Sequence, residues 1–220
     1  MSEIILIIIF LIIISGIFLL YHFLDKFGLK TMLLIMTIIS YIMSFKTGKV
    51  FGIDANVNII TYMSIFTIFY ITLEKYGQKQ VKEDIGVITK TSIYSLFILV
   101  ILLLYIQSIN DAISLNINHI VDIIPSLLSF LVLPISVIFT IKLYSYLKKI
   151  NDNIYINMIV CTIIVGLIES LIISTISNGL VLDINSIIRI SLANYLFKII
   201  TMIIYLPIIH YILKKKKVQL

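Results

Sequence analysis

The apolar run from Ile187 to Leu213 constrains the fold more than any other stretch of this sequence. It contains 27 residues and is followed by four consecutive lysines, Lys214 to Lys217. A helix of this length, at about 1.5 Å per residue, exceeds the roughly 30 Å thickness of a bilayer core. Because the cytoplasmic flanks of membrane helices collect lysine and arginine, the run predicts a transmembrane helix whose C-terminal end is cytoplasmic.

The composition places the whole chain in the class of polytopic membrane proteins. Hydrophobic residues make up 60% of the 220 residues and charged residues only 13%, about half of their share in soluble domains. The net charge is +6, but the basic residues lie between apolar runs, so no nucleic-acid binding is expected. The chain has one cysteine, Cys161, which excludes a disulfide within a single chain.

Seven apolar segments predict seven transmembrane helices in one domain that covers residues 1–220. Helices are expected rather than barrel strands, because no segment alternates in polarity and a backbone in lipid must satisfy its own hydrogen bonds. The predicted fold class is therefore an all-α integral membrane bundle. The predicted helices cover residues 4–23, 30–45, 57–73, 87–107, 121–147, 155–177 and 187–213.

The distribution of basic residues predicts that the N-terminus is outside and the C-terminus is inside. With seven helices, 13 of the 17 lysine and arginine residues lie in or beside the connections on the side of the C-terminus. The connection between the fourth and fifth helices lies on the other side and has no basic residue from 108 to 120. This asymmetry follows the positive-inside rule, and we expect a multi-pass protein of the plasma membrane.

Two charged residues lie well inside the predicted helices, Glu169 in the sixth and Lys198 in the seventh. A charge at the centre of a membrane helix costs about 2.5–3.5 kcal/mol on insertion scales and usually faces the interior of the bundle. The two helices are joined by a short connection and are expected to pack antiparallel. We therefore expect an ion pair, and two roles stay open: a structural link between helices, or part of a polar substrate cavity.

No metal, nucleotide or catalytic pattern is found in the sequence, so we expect neither a cofactor nor an enzyme. His22, His119 and His210 do not form a ligand spacing such as HExxH. A glycine-rich phosphate loop is also missing, so the chain is not expected to hydrolyse ATP itself. Single tyrosines near the helix ends, among them Tyr62 and Tyr76, are predicted to be anchors at the membrane interface.

Four stretches together resemble the queuosine precursor transporter family, also called the vitamin uptake transporter family. They are YHFLDKFGLKTM at 21–32, FKTGKVFG at 45–52, EKYGQKQ at 74–80, and LIESLI at 167–172 with YLFK at 195–198 and Pro207. The third is similar to the family's E-x-Y-G-K-K-x-A turn. The fourth is similar to its L-I-D-S-x-I-F segment, followed by Y-x-x-K and a proline.

The resemblance implies uptake of a small heterocyclic molecule, a queuosine precursor such as queuine or a related deazapurine. We expect a cavity within the outer half of the bundle, where a carboxylate accepts hydrogen bonds from the substrate, a lysine keeps that carboxylate ionised, and aromatic rings stack on the substrate. The expected substrate-binding residues are Glu169, Lys198, Tyr195, Phe197, Ser170 and Tyr70.

Several polar positions of that family are less polar in this chain. Tyr70 stands four residues before Glu74, where the family usually has an aspartate, and Tyr41 and Met43 stand in place of an asparagine and a glutamine. The family's intramembrane aspartate corresponds to Glu169. These differences favour a flatter and less polar substrate.

Two other functions stay open at this point. The chain is also compatible with the substrate-binding membrane subunit of an energy-coupling vitamin transporter, which works with a partner ATPase. A non-transporting membrane protein, such as an assembly or immunity partner, is the alternative from a different class. The expected partners are a small-molecule substrate and the lipid bilayer, with a homo-oligomer or an energising subunit left open.

The predicted topology is tested by cysteines introduced at Asn116 and Gln78. A cysteine at Asn116 should react with an impermeant maleimide in intact cells, because this position lies in the predicted outer loop. A cysteine at Gln78 should react only after the membrane is opened. The reverse pattern would contradict the orientation derived from the basic residues.

Overall fold

The computed structural model describes residues 3–44, 47–50, 53–56, 58–109, 117–178 and 183–214, with side-chain burial for 8–43, 58–98, 101, 131–175 and 183–214. Within these residues the chain forms five helices and one short hairpin. They are α1 (Glu3–Ser44), β1 (Thr47–Val50), β2 (Ile53–Asn56), α2 (Ile59–Ile109), α3 (Ile117–Leu147), α4 (Ile154–Asn178) and α5 (Ile184–Lys214).

Helix α1 reverses its direction at Asp25. This residue has a φ of 47° and a ψ of −119°, far from helical values. A Cβ atom at Gly16 would lie 3.1 Å from the Cε atom of Met32, whereas residues sixteen positions apart in a straight helix are about 24 Å apart. The two halves of α1 therefore pack against each other as an antiparallel pair.

Helix α2 reverses in the same way at Gly77, which has a φ of 79° and a ψ of −178°. Positive φ is accessible to glycine without a Cβ clash, which explains the residue type here. The Tyr41 hydroxyl forms a hydrogen bond with Ser92 and also lies near Tyr62. Ser92 and Tyr62 would be about 45 Å apart in a straight helix, so the halves of α2 also run antiparallel.

Both reversals fall within connections that the sequence predicts, between the first and second helices and between the third and fourth. The predicted helices 4–23 and 30–45 both fall within α1, and the predicted helices 57–73 and 87–107 both fall within α2. The expected loops are replaced by breaks at single residues. Among the described residues, three stretches are long and apolar enough to cross a membrane: Ile8–Met43, Ile154–Thr175 and Ile184–Lys214. The chain is thus helical with membrane-spanning character, while seven spans and their orientation stay predictions.

The two breaks lie side by side. The Tyr76 hydroxyl, next to Gly77, donates a hydrogen bond to Asp25 Oδ1 at 2.5 Å, and Lys75 Nζ donates to the Tyr21 hydroxyl at 2.6 Å. Burial raises the pKa of Tyr76, and the hydrogen bond to the Asp25 carboxylate raises it further. The hydroxyl therefore keeps its proton, and the link between the two reversals is held over the physiological pH range.

A third turn, at residues 148–153 between α3 and α4, lies at the same end of the bundle. Lys148 Nζ is 2.6 Å from Glu74 Oε1, and Glu74 precedes the break at Gly77 by three residues. We call this end, with Asp25, Gly77 and residues 148–153, the turn end. The predicted outer loop at 110–116 and the lysines 215–217 lie outside the described residues.

The hairpin of β1 and β2 is the part of the fold that the sequence did not predict. Its strands pair antiparallel, with Thr47 opposite Asn56 and Val50 opposite Ile53. It connects α1 to α2 at the end of the bundle opposite the turn end, and β2 lies beside α5.

The polarity of the bundle is inverted relative to a soluble protein. Large apolar side chains are exposed on its surface, for example Phe97 at 62% and Ile203 at 50%. Charged and amide side chains are buried, with Glu169 at 4%, Lys198 at 5% and Asn157 at 2% exposure. Since soluble proteins bury isoleucine and expose lysine and glutamate, this distribution suits a bundle surrounded by lipid.

The reversal at Asp25 generates a test with a matched control. A Cβ atom at Gly28 would lie 1.9 Å from the Leu20 carbonyl oxygen, whereas a Cβ at Gly86 meets nothing within 4 Å. We expect Gly28→Ala to lower the free energy of unfolding by about 1–3 kcal/mol through overpacking. Gly86→Ala should leave it unchanged or raise it by up to about 1 kcal/mol. Thermal unfolding of the two variants in detergent measures both, and equal stabilities would contradict the close antiparallel packing within α1.

Candidate functional site

Helices α4 and α5 bring together the two intramembrane charges. Lys198 Nζ lies 3.2 Å from Glu169 Oε2, and the side chains are 7% and 3% exposed. Thus the expected ion pair is present in the structure. Gly166 lies one helical turn before Glu169, and a Cβ there would be only 3.6 Å from Lys198 Cδ. This is an ordinary van der Waals distance, so the Lys198 side chain packs directly against α4 at Gly166.

The hydrogen-bonding capacity of this pair is only partly used. Glu169 Oε1 is buried and has no hydrogen-bond partner among the described residues. The Tyr62 hydroxyl lies close to Glu169 and Ser136, but it has no partner at hydrogen-bond geometry. Lys198 Nζ also lies 5.4 Å from the centroid of the Tyr62 ring, where the π-face attracts a cation.

A small cavity opens beside the ion pair, between α2, α3, α4 and α5. It leaves about 10 Å³ for the centre of a water molecule, which is room for roughly one water. Ligand sites for drug-sized molecules measure about 300–1,000 Å³, so the site is closed in this structure. The lining residues are Met63, Phe66, Tyr70, Thr140, Thr162, Val165, Gly166, Glu169 and Lys198.

Three of the six residues predicted from the sequence line this cavity: Glu169, Lys198 and Tyr70. Tyr195 lies at its edge, since its Cδ2 atom is 3.8 Å from a Cβ built at Gly166. The structure does not bring the other two residues into the lining.

Those two residues are Ser170 and Phe197. Ser170 is buried and its hydroxyl has no partner, whereas Phe197 packs against the apolar core. Each lies one position, or about 100° around a helix, from a charged residue that does line the cavity. Residues that are adjacent in sequence therefore place their side chains in different environments.

The sequence did not predict the contribution of Tyr62. It was expected to be an interfacial anchor, but its side chain is only 4% exposed and lies under Lys198. The available signal was helical spacing: Tyr62, Phe66 and Tyr70 are four residues apart, which places them on one face of α2. Thr162, Gly166 and Glu169 share one face of α4 by the same rule, and Ser136 and Thr140 share one of α3.

The site can bind hydrogen-bond donors. A buried polar atom without a partner costs about 1–3 kcal/mol, and Glu169 Oε1 and the hydroxyls of Tyr62 and Tyr70 are in this state at or beside the cavity. A ligand N–H group placed at Glu169 Oε1 would relieve this cost without breaking the contact of Oε2 with Lys198. Among the described residues, no group of three His, Cys, Asp or Glu side chains could hold a metal ion.

Comparison with known proteins identifies one related family. The family model described as "Putative vitamin uptake transporter" matches residues 56–212, which is more than half of the chain. The comparisons with curated proteins and with solved structures gave no match. The matched range contains every residue that lines the cavity.

Coupling between Glu169 and Lys198 is tested by a double-mutant cycle. We expect Lys198→Met and Glu169→Gln each to lower the free energy of unfolding by about 3–5 kcal/mol, because each change leaves the other charge buried and unpaired. The double variant should be more stable than the sum of the two losses predicts. The control is Lys148→Met, which breaks a pair whose lysine is 46% exposed and whose carboxylate, Glu74, is 8% exposed. Its cost should be smaller than that of either change at the buried pair, because solvent screens Lys148. Additive losses would contradict the interaction.

Proposed function

The chain belongs to the vitamin uptake transporter family, and we propose that it takes up a small heterocyclic molecule across the plasma membrane. By the resemblance of its motifs, the substrate is a queuosine precursor, with queuine or a related deazapurine as the best candidate. The protein acts as one multi-pass domain with seven spans, its N-terminus outside and its C-terminus inside.

The observation that carries this proposal is the free carboxylate oxygen of Glu169. It lies in a cavity inside a bundle whose surface is apolar, and it is held beside Lys198 at 3.2 Å. A structural ion pair would be expected to use both carboxylate oxygens, because partial satisfaction in a low-dielectric site is costly. An acceptor left open in this position supports recognition of N–H groups on a heterocycle.

The antiparallel halves of α1 and α2 support the proposed topology. Both reversals lie at the turn end, where Lys148 and Lys149 are also found. If each half crosses the membrane, α1 and α2 account for four spans, and α3, α4 and α5 for three more. The turn end is then cytoplasmic, in agreement with the positive-inside rule.

Binding requires the cavity to widen. It has room for about one water as it stands, so the structure corresponds to a closed state in which helix movements must precede entry. In the widened site Glu169 Oε1 accepts a hydrogen bond from a ring N–H or amino group. Tyr62 and Tyr195 supply hydroxyls and ring faces at the edges of the site.

The aromatic residue Tyr70 favours the less polar precursors. Its ring lies 5.2 Å from that of Tyr144, and its buried hydroxyl has no partner at hydrogen-bond geometry. An aspartate at this position would offer two acceptors to a polar base, whereas tyrosine offers mainly apolar surface. The precursor with fewer unmatched polar groups should therefore bind more tightly, by about 1–3 kcal/mol per group.

Uptake by a bacterial host that lacks its own carrier tests the proposal. Cells that express the protein should accumulate labelled queuine faster than a more polar precursor, and Tyr70→Asp should shift the preference towards the polar precursor. The control is Tyr146→Asp, the same change at a tyrosine that is 61% exposed, which should leave the preference unchanged.

Two results would contradict the proposal. A preference of the unaltered protein for the polar precursor would contradict the role of Tyr70. No uptake of either compound would remove the support for transport of deazapurines and would favour a non-transporting membrane protein.

A further inference from the structure

A second and larger cavity opens at the turn end of the bundle. It offers about 240 Å³ to the centres of water-sized molecules, far more than the cavity beside Glu169. Its lining residues are Leu73, Gly77, Gln78, Ser145, Lys148 and Lys149. No carboxylate is among them, and four of the six side chains can donate a hydrogen bond.

The two cavities follow one another along the same contact between α2 and α3. On α2, Tyr70 lines the inner cavity, while Leu73 and Gly77 line the cavity at the turn end. These three residues are three and four positions apart and so share one helix face. On α3, Thr140 lines the inner cavity and Ser145 the other one. At about 1.5 Å per residue, only about 5–8 Å separate the two cavities along the helix axes.

The aromatic rings of Tyr70 and Tyr144 belong to residues that lie between the levels of the two cavities along α2 and α3, and Tyr70 lines the inner one. Their ring centroids are 5.2 Å apart, and the residues are only 1% and 0% exposed. Tyr144 is one turn after Thr140 and one turn before Lys148, which places its ring at the level of the gap. We call this ring pair the tyrosine barrier.

The tyrosine barrier is tied to charged groups at the turn end. The Tyr144 hydroxyl donates a hydrogen bond to Glu74 Oε1 at 2.9 Å. Lys148 Nζ donates to both oxygens of the same carboxylate, at 2.6 and 2.8 Å. Because a hydrogen bond to a charged group is stronger than one between neutral groups, Glu74 holds the Tyr144 ring in its closed position.

We propose that the cavity at the turn end is a second binding site for the transported molecule and that the tyrosine barrier separates it from the first. This inference rests on the proposed transport function. Glu169 Oε1 accepts hydrogen bonds from the substrate in the first site, and the donors of Gln78, Ser145 and Lys149 receive its carbonyl or ring-nitrogen acceptors in the second. The ligand class is therefore a small planar molecule with donors and acceptors, released towards the turn end when the ring of Tyr144 swings away from Glu74.

The native cysteine provides a reporter for opening of the barrier. Cys161 is the single cysteine of the chain, is fully buried, and lies beside both Tyr70 and Tyr144. A charged, impermeant methanethiosulfonate reagent can reach it from the turn end only when the barrier opens. Membrane vesicles of either orientation then reveal the side from which the reagent enters, and no substrate is needed.

The experiment compares labelling rates of Cys161 in four proteins. We expect Tyr144→Phe to raise the labelling rate about tenfold in inside-out vesicles. This change keeps the ring but removes its hydrogen bond to Glu74, and an effect of this size is typical for the loss of a hydrogen bond to a charged group. Tyr144→Ala should raise it further. The matched control is Tyr205→Phe, which removes a buried hydroxyl bonded to Ser64 at 2.5 Å but lines neither cavity. Its rate should equal that of the unaltered protein.

A plug in the second cavity tests the route itself. Ser145→Phe, added to Tyr144→Ala, should return the labelling rate towards that of the unaltered protein. Equal rates for Tyr144→Phe and Tyr205→Phe, or no effect of the plug, would each overturn the inference. Entry from right-side-out vesicles only, with the plug still effective, would instead overturn the proposed orientation.

The ligand of the second cavity is tested separately, by uptake of labelled queuine. Lys149→Gln should reduce uptake, while the control Lys82→Gln, at an exposed lysine outside the cavity, should not. Equal uptake would overturn the assignment of this cavity as a binding site. If the unaltered protein takes up no queuine, the proposed function fails, and the labelling rates still decide whether the barrier exists.

Discussion

The buried ion pair of Glu169 and Lys198 is the interaction on which the rest of this structure depends. Two charges inside a lipid-exposed bundle are tolerated only if they face each other and are shielded from the hydrocarbon. This requirement fixes the rotation of α4 and α5 about their axes. It also places the Lys198 side chain in direct contact with α4 at Gly166. The polar side chains of α2 and α3 then gather around the same point.

The inverted polarity of the bundle follows from the same constraint. Isoleucine and leucine cover the surface because lipid, not water, surrounds it, and serine, threonine and tyrosine pack inside, where close approach and hydrogen bonding hold helices together. Several of the serine and threonine hydroxyls bond to a carbonyl one turn back, as Thr140 does to Ser136 at 2.8 Å. Glu169 Oε1 and the hydroxyls of Tyr62 and Tyr70, which lack partners at hydrogen-bond geometry, stand out against this background because they lie at or beside the cavity next to the ion pair. A ligand that enters this cavity would meet hydrogen-bonding groups that the protein itself leaves unused.

The ion pair at the centre of the site could be predicted from the sequence because charged residues are rare in it. Only two lie deep in predicted helices, so the sequence alone predicts the pairing of Glu169 with Lys198. The sequence predicts connections around Asp25 and Gly77. It does not predict that each reversal takes place at a single residue, because that depends on the contacts of Tyr76 and Lys75 with the neighbouring turn. Tyr62 was misplaced for a related reason: tyrosine is common at membrane interfaces and in cores alike, and only packing against Lys198 distinguishes the two. The hairpin at 47–56 has too few residues to carry a clear alternating pattern.

The two cavities along α2 and α3 suit the transport role that the family description implies. One presents a buried acceptor, the other presents donors, and the tyrosine barrier lies between them. A molecule that moves from one to the other exchanges one set of hydrogen bonds for another, which lets it bind firmly enough for recognition and still leave.

Binding of labelled queuine to the purified protein tests the central claim, that the free oxygen of Glu169 holds the substrate, most directly. We expect saturable binding to the unaltered protein. In Glu169→Gln, with folding verified by an unchanged elution profile, we expect an affinity lower by about tenfold or more, equivalent to about 1.4 kcal/mol. Equal affinity of the two proteins for queuine would contradict the role of the Glu169 oxygen.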